Sequence, residues 1–439
     1  MSTTVTRHPG TVGEVFRVFL RLGLTSFGGP VAHLGYFRET FVARRRWLTD
    51  TAYADVVALC QFLPGPASSQ VGMAIGLQRA GFGGLLAAWF AFTMPSAIVL
   101  VAFAYGFDAF GDALGTGWLD GVKAAAVAIV AGAVLGMGKS LAPDAKRATI
   151  AGLAAIIVLL IPSPIVQVLA IIVGAGLGLT WLRPEEAKIR AEAAAAAASS
   201  AEETSASAEE TDSSDGTESD RSAESEASAP TGFRVSVSKR VGAAALLVFA
   251  ALLVLLPIAT AVSGDPTLRL TDIFYRAGSL VFGGGHVVLP LLDAETVRAG
   301  LVDSETFLAG YGAAQAVPGP LFTFAAFLGA SMTTDPTGLL GATIALLAIF
   351  LPAGLLTVGA LPFWQSLHGS VHARRALLGV NAAVVGLLGA ALFDPVFVEG
   401  ITSPATLAIA LAAFIALTRW NLPAWAVVLI AAAIGAIAL

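Results

Sequence analysis

Two kinds of signature in this chain have the residue types to handle an anion, and each occurs twice. Phe27-Gly28-Gly29-Pro30 is followed by Gln61-Phe62-Leu63-Pro64-Gly65-Pro66. Phe282-Gly283-Gly284-Gly285 is followed, at nearly the same spacing, by Gln315-Ala316-Val317-Pro318-Gly319-Pro320. Proline suits the first position of a helix, and a new helix presents unpaired N–H groups at the positive end of its dipole. Pro64-Gly65-Pro66 and Pro318-Gly319-Pro320 are therefore expected to end one half-helix and start the next. Ser68 and Ser69 follow the first break, and Thr323 follows the second. A helix N-terminus with hydroxyl side chains holds an oxyanion without needing a full positive charge. Gly28, Gly29, Gly283 and Gly284 allow close backbone approach to the same end. Gln61 and Gln315, each three residues before a Pro-Gly-Pro, are the expected side-chain donors.

Charged and titratable residues lie nearby. Arg21 falls in the first apolar stretch, Arg38 just after it, and Arg276 six residues before Phe282. Arg276 is the better candidate for substrate contact, with pairing to Asp272 one turn earlier as the structural alternative. Arg17 and Arg21 read equally well as side chains snorkelling to an interface. His33 and His286 each follow a Gly-Gly break and are candidates for carrying a proton, although a lone histidine is more often structural. His368 and His372 have the helical spacing of a metal pair, but no third ligand accompanies them and Arg374 and Arg375 adjoin. A basic interfacial loop fits them better.

Cys60 is the only cysteine, which excludes an intrachain disulfide and a cysteine metal cluster. Nucleotide-binding, zinc-protease and serine-hydrolase motifs are all missing. Neither a cofactor nor catalysis is expected.

The elements that carry these signatures must lie in a bilayer. Apolar residues make up 56% of the chain and charged residues only 13%, and apolar runs long enough to span recur from end to end. Six embedded segments are expected before residue 183, near 14–34, 53–78, 82–107, 121–138, 147–161 and 164–182. Seven more are expected near 240–262, 272–292, 306–331, 337–360, 376–393, 403–419 and 421–439. All read as helix, since none shows the alternation of a barrel strand. The fold class is all-α, a polytopic membrane protein. Met1–Gly13 lacks an apolar core, so no cleaved signal peptide is expected there. Gly72 with Gly76, and Gly132 with Gly136, have the spacing of close helix packing.

Residues 183–238 form an acidic linker between an N-terminal membrane repeat (1–182) and a C-terminal one (239–439). Its start extends as a helix to about Ala198, and the remainder cannot bury enough apolar surface to order itself. The net charge of −5 belongs to it: Ser199–Pro230 holds ten acidic residues and one arginine, leaving 24 basic against 20 acidic elsewhere. No nucleic-acid partner is expected.

The first signature segment opens the first half, whereas its counterpart is second in the second half. Seven crossings between them invert the orientation, so the halves are expected to be inverted-topology repeats. Loop charges place the N-terminus inside, with one conflict. Arg38, Arg44, Arg45 and Arg46 would lie outside if the first segment crossed fully, and Asp293, Glu295, Asp303 and Glu305 would lie inside. Re-entrant hairpins at both signatures in both halves remove both conflicts. Breaks of this kind persist in a bilayer only where protein or a watery cavity receives the freed backbone groups, and matched breaks in two halves point to a transporter's substrate site.

At these motifs the chain resembles the chromate ion transporter family in its long, two-domain form. The first half contributes Ser26-Phe27-Gly28-Gly29-Pro30 with His33, Arg45-Arg46-Trp47-Leu48, Cys60-Gln61 with Pro64-Gly65-Pro66, and Met94-Pro95-Ser96. The second contributes Val281 to Pro290, Phe307-Leu308-Ala309-Gly310-Tyr311-Gly312, Gln315 to Pro320, and Leu351-Pro352. The resemblance covers both membrane halves but not the linker. It implies export of chromate across the plasma membrane, with sulfate, also a tetrahedral dianion, as the natural competitor. Potential alone or proton exchange would drive it, and the oligomeric state is left open with a homodimer as one option. An inward sulfate or oxyanion permease is the alternative within the class. An intramembrane enzyme acting on a lipid-linked phosphate is the alternative outside it, disfavoured because no nucleophile–base pair or carboxylate cluster accompanies the breaks.

Overall fold

A computed structural model describes residues 9–110, 117–161, 163–182, 233, 235, 237–282, 285–364 and 370–439. The expected disorder of the acidic linker, its helical start, Gly283, Gly284 and His368 lie outside the described residues. Among the described residues there is no strand. Five helices are long and apolar enough to cross a membrane, lying within 67–108, 117–141, 239–263, 338–363 and 371–400. The chain is an all-α, multi-pass membrane protein.

Each signature segment is a pair of short helices rather than one long one. In the first half these are α1 (Val12–Thr25) with α2 (Gly29–Arg38), then α3 (Asp50–Phe62) with the start of α4 (Ala67–Phe110). α1 has 14 residues, about 21 Å of helix against a hydrocarbon core of about 30 Å. Thr11 caps it, accepting from the Glu14 N–H, and its buried stripe is Val15, Val18, Phe19 and Leu22. It stops because Gly28 and Gly29 take φ of 96° and 76°, values that only glycine adopts cheaply. Thr49 caps α3, which ends at Leu63 with φ −83° and ψ 149°, the extended conformation imposed by a following proline. α4 breaks again at Ala80 and Gly81, so residues 82–110 form its crossing part.

Three helices complete the first half: α5 (Gly117–Leu141), α6 (Ala145–Leu160) and α7 (Pro164–Trp181). α8 (Lys239–Ser263) has no counterpart there. The second half then repeats the plan. α9 (Pro266–Leu280) and α10 (Val288–Thr296) match α1 and α2, and α11 (Ser304–Ala316) and α12 (Phe324–Ala330) match α3 and the start of α4. α13 (Gly338–Ala360) matches the crossing part of α4, and α14 (Val371–Ala391) matches α5. A short turn, α15 (Val398–Gly400), precedes α16 (Pro404–Thr418) and α17 (Ala424–Ala438).

The halves exchange partners. α5 of the first half packs on α16 and α17 of the second, and α14 of the second packs on α6 and α7 of the first. Small residues permit both contacts. A Cβ on Gly121 would strike the Ala431 backbone, and one on Gly379 would strike Gly174 and Gly178. Gly72 and Gly76 also pack closely, on Phe19 and Gly84. The expectation for Gly132 and Gly136 is corrected: nothing lies within 4 Å of a Cβ at either, because the tight face of α5 runs through Gly117 and Gly121 instead.

Polar contacts gather the loops at two ends. At one end Glu14 meets Arg79 at 3.2 Å and Arg45 at 3.9 Å, and the Gly10 N–H donates to the Arg79 carbonyl at 3.0 Å. At the other, Arg298 meets Asp394 at 3.1 Å, Lys123 meets Glu305 at 3.9 Å, and Tyr105 Oη accepts from the Leu339 N–H at 3.0 Å. The crossing part of α4 separates these ends, since Arg79 precedes it and Tyr105 closes it. The first hairpin therefore returns Arg45 to the end where it entered. Arg298 and Glu305 flank the turn between the two hairpins of the second half, at the opposite end.

Candidate functional site

The four breaks meet. The Gly65 N–H donates to the Val281 carbonyl at 2.7 Å, and the Gly319 N–H donates to the Ser26 carbonyl at 2.9 Å. Each donor is the centre of a Pro-Gly-Pro, and each acceptor directly precedes the phenylalanine of the other half's Phe-Gly-Gly. Both glycines are left-handed, at φ 108° and 110°. A Cβ on Gly285 would lie 3.4 Å from Leu321 and 3.5 Å from Pro30, so the second Phe-Gly-Gly touches the first as well as the second Pro-Gly-Pro.

Each half carries one histidine network, built differently. His33 is fully buried on α2. Its Nε2 lies 3.1 Å from the Ser26 carbonyl and its Nδ1 3.3 Å from Ser68 Oγ. A carbonyl only accepts, so Nε2 carries the proton and Nδ1 accepts from the serine. The Ser26 oxygen thus receives both the Gly319 N–H and His33. His286 Nδ1 lies 2.8 Å from Tyr311 Oη and 3.4 Å from Gln315 Nε2. Both partners can donate, so this Nδ1 is the acceptor.

Gln315 is therefore part of a buried hydrogen-bond network, and Gln61 is placed differently. Gln61 is exposed at the end of α3, with no hydrogen-bond partner among the described residues. The reason lies in its neighbours. Counting from the signatures, Val31 and Val57 occupy the positions that His286 and Tyr311 hold in the second half. Gln70 supplies the buried amide instead. Its Nε2 donates to the Pro64 carbonyl at 2.8 Å, while its Oε1 is buried without a partner. The sequence places Gln70 directly after the break, beside Ser69, and that adjacency was the available signal.

Gln70 is not alone in this. Ser26 Oγ, Ser69 Oγ and Thr93 Oγ1 are also buried with no hydrogen-bond partner among the described residues. Ser26 belongs to the first Phe-Gly-Gly, Ser69 follows the first Pro-Gly-Pro, and Thr93 adjoins Phe92, whose ring edge meets His33 at 5.3 Å between centroids. The first backbone bond of α4 runs from the Gln70 N–H to the Pro66 carbonyl at 3.0 Å, leaving the N–H groups of Ala67, Ser68 and Ser69 ahead of it. Buried polar groups are nearly always satisfied. An unpartnered hydroxyl in the first turn of a helix, as Ser69 is in α4, can donate to an anion beside the open N–H groups without a fixed countercharge. Arg276 takes the ion-pair alternative, held by Asp272 at 3.0 Å and Glu295 at 2.8 Å. No metal-ligating group of three or more acidic, histidine or cysteine residues occurs among the described residues.

Comparison with known proteins agrees with this duplicated plan. The family model described as "Chromate transporter" matches twice, over residues 13–179 and 268–436. The chain belongs to the chromate transporter family. The family is one of transporters rather than enzymes. A protein of Pseudomonas aeruginosa described as "Chromate transport protein" is 28% identical to this transporter, covering 90% of this chain and 83% of its own. One of Synechococcus elongatus, "Probable chromate transport protein", is 27% identical over 88% of this chain and 85% of its own. One of Cupriavidus metallidurans, "Chromate transport protein", is 26% identical over 87% and 82%. No solved structure matches the transporter.

Proposed function

We propose that this chain exports chromate from the cytoplasm across the plasma membrane, as a secondary transporter whose two membrane repeats have inverted topology. The supporting observation is the junction of the four breaks, tied by two reciprocal backbone bonds, together with the buried hydroxyls of Ser26, Ser69 and Thr93 that have no hydrogen-bond partner among the described residues. A tetrahedral dianion would take its hydrogen bonds from Ser26, Ser69, Thr93 and the open N–H groups of α4, with Gln315 and His286 approaching from the other half. Neutral donors suit transport, because an anion held without a countercharge is more readily released. Outward movement of a dianion gains about 4.6 kcal/mol per 100 mV of inside-negative potential, twice the roughly 2.3 of a single charge. His33 and His286 are the proposed proton carriers if exchange contributes.

Inside-out vesicles carrying the chain should accumulate chromate, with excess sulfate inhibiting weakly. Movement of sulfate but not chromate would assign the same site to a sulfate permease, and movement of neither would overturn the reading. The basic residues Arg45 and Arg79 clustered with Glu14 at one end support a cytoplasmic placement of that end. In a Cys60→Ser background, an Arg45→Cys variant should react with an impermeant thiol reagent only from the cytoplasmic side, and Arg298→Cys only from outside. Labelling of Arg45→Cys from outside would contradict the re-entrant topology.

A further inference from the structure

Arg17, Arg21 and Thr25 of α1, beside Val18 and Leu22 of its packed stripe, line a second polar site. A cavity of about 710 Å³ lies between α1 and the segment following α2. Arg17, Arg21, Arg44 and Arg45 line it, with Glu14 and Glu39 as its carboxylates. Glu39 is bound to Arg44 at 2.8 Å, and Glu14 is shared between Arg79 and Arg45. Arg17 and Arg21 have no carboxylate partner among the described residues. They stand one turn apart, and Thr25, one turn further along the same face, also lines the cavity and directly precedes Ser26.

The second half carries a different set of charges at the corresponding sequence positions. Counted back from the signature phenylalanine, Arg21 corresponds to Arg276 and Arg17 to Asp272; counted forward, Thr40 corresponds to Glu295. In the second half the three groups neutralise one another, with Arg276 between Asp272 and Glu295. In the first half the arginine is kept, both acidic positions are lost, and one of them has become a second arginine. Thr40 lines the cavity too. We infer that this cavity binds a tetrahedral oxyanion, which stands where the carboxylates of Asp272 and Glu295 stand in the other half. Two uncompensated guanidinium groups match the charge and fork geometry of such an ion. The shared chemistry is an oxygen-rich phosphorus, sulfur or chromium centre, supplied either free from the cytoplasm or as the phosphate of an anionic lipid headgroup.

The test uses purified full-length protein in detergent, so it does not depend on transport. Labelled sulfate is the probe for the free ion, and co-purified phosphatidylglycerol measured by native mass spectrometry is the probe for the headgroup. Arg17→Asp installs the carboxylate of the second half, which can pair with Arg21 as Asp272 pairs with Arg276. It should fold normally and weaken binding by roughly tenfold or more, since a charge-assisted pair is lost, while Arg17→Lys should retain most of it. Sulfate binding lost in Arg17→Asp but kept in Ser69→Ala places a free oxyanion in the cavity rather than at the junction of the breaks. Phosphatidylglycerol lost from Arg17→Asp with sulfate binding unchanged identifies the headgroup. If neither probe distinguishes Arg17→Asp from the unaltered protein, the cavity is not an oxyanion site. A failure of chromate export leaves each of these outcomes readable.

Discussion

Gly319→Ala is expected to reduce chromate transport to background while the protein still inserts and purifies. The residue sits at φ 110°, in a region L side chains enter at a cost of roughly 1–2 kcal/mol. The added Cβ would also lie 2.7 Å from Ser96 Oγ, a hydroxyl already committed to the Thr93 carbonyl at 3.1 Å. Relief requires Ser96 to turn away from the Thr93 carbonyl or the break to shift, and a shifted break takes the Gly319 N–H from the Ser26 carbonyl. Losing a buried bond of this kind costs about 1–3 kcal/mol. The same carbonyl holds His33, so the disturbance reaches the open hydroxyls of the first half. The total is a few kcal/mol, small against a bundle of this size but large against the precision of an anion site. Gly65→Ala has the same left-handed strain but gentler surroundings, with its nearest neighbours at 3.3–3.6 Å. It should impair transport less. Vesicle uptake read beside thermal unfolding separates the two effects, and near-normal transport by Gly319→Ala would remove the reciprocal bonds from the mechanism.

The breaks were legible because proline and glycine dictate backbone geometry locally. Leu63 and Val317 each precede a proline, and they adopt nearly the same extended angles, ψ 149° and 148°. The convergence of the breaks was not legible, because a backbone N–H meeting a carbonyl more than two hundred residues away leaves no mark on residue type. The contrast between the paired glutamines was hidden for a related reason. Their offset is identical, yet whether a polar side chain finds a partner depends on what faces it, and His286 with Tyr311 face only Gln315. Arg276 shows the ambiguity of an intramembrane charge, since its substrate and ion-pair readings share one pattern and geometry supplies the two carboxylates. Small-residue spacing failed at Gly132 and Gly136 because glycine is frequent throughout this chain, and the spacing alone does not say which helix face meets a neighbour.

Ser69→Ala and Thr93→Val should separate folding from anion binding by moving them in opposite directions. Both hydroxyls are buried and neither has a hydrogen-bond partner among the described residues. Without an anion, such a group carries a desolvation penalty of about 1–3 kcal/mol, so its removal should leave the empty protein as stable as before or more so. With an anion bound, each hydroxyl would donate a charge-assisted bond of about 1.5–3 kcal/mol. Chromate affinity should then fall roughly 10- to 100-fold for each variant. Ser68→Ala is the contrasting case: its hydroxyl donates to His33, so its loss should cost about 0.5–1.5 kcal/mol of stability whether or not the anion is present. Thermal unfolding with and without chromate reads all three. The unaltered protein should gain stability on adding the anion, and Ser69→Ala and Thr93→Val should lose most of that gain. If either variant is destabilised when empty and still stabilised fully by chromate, that hydroxyl is a structural group with a partner, and the anion is held somewhere else.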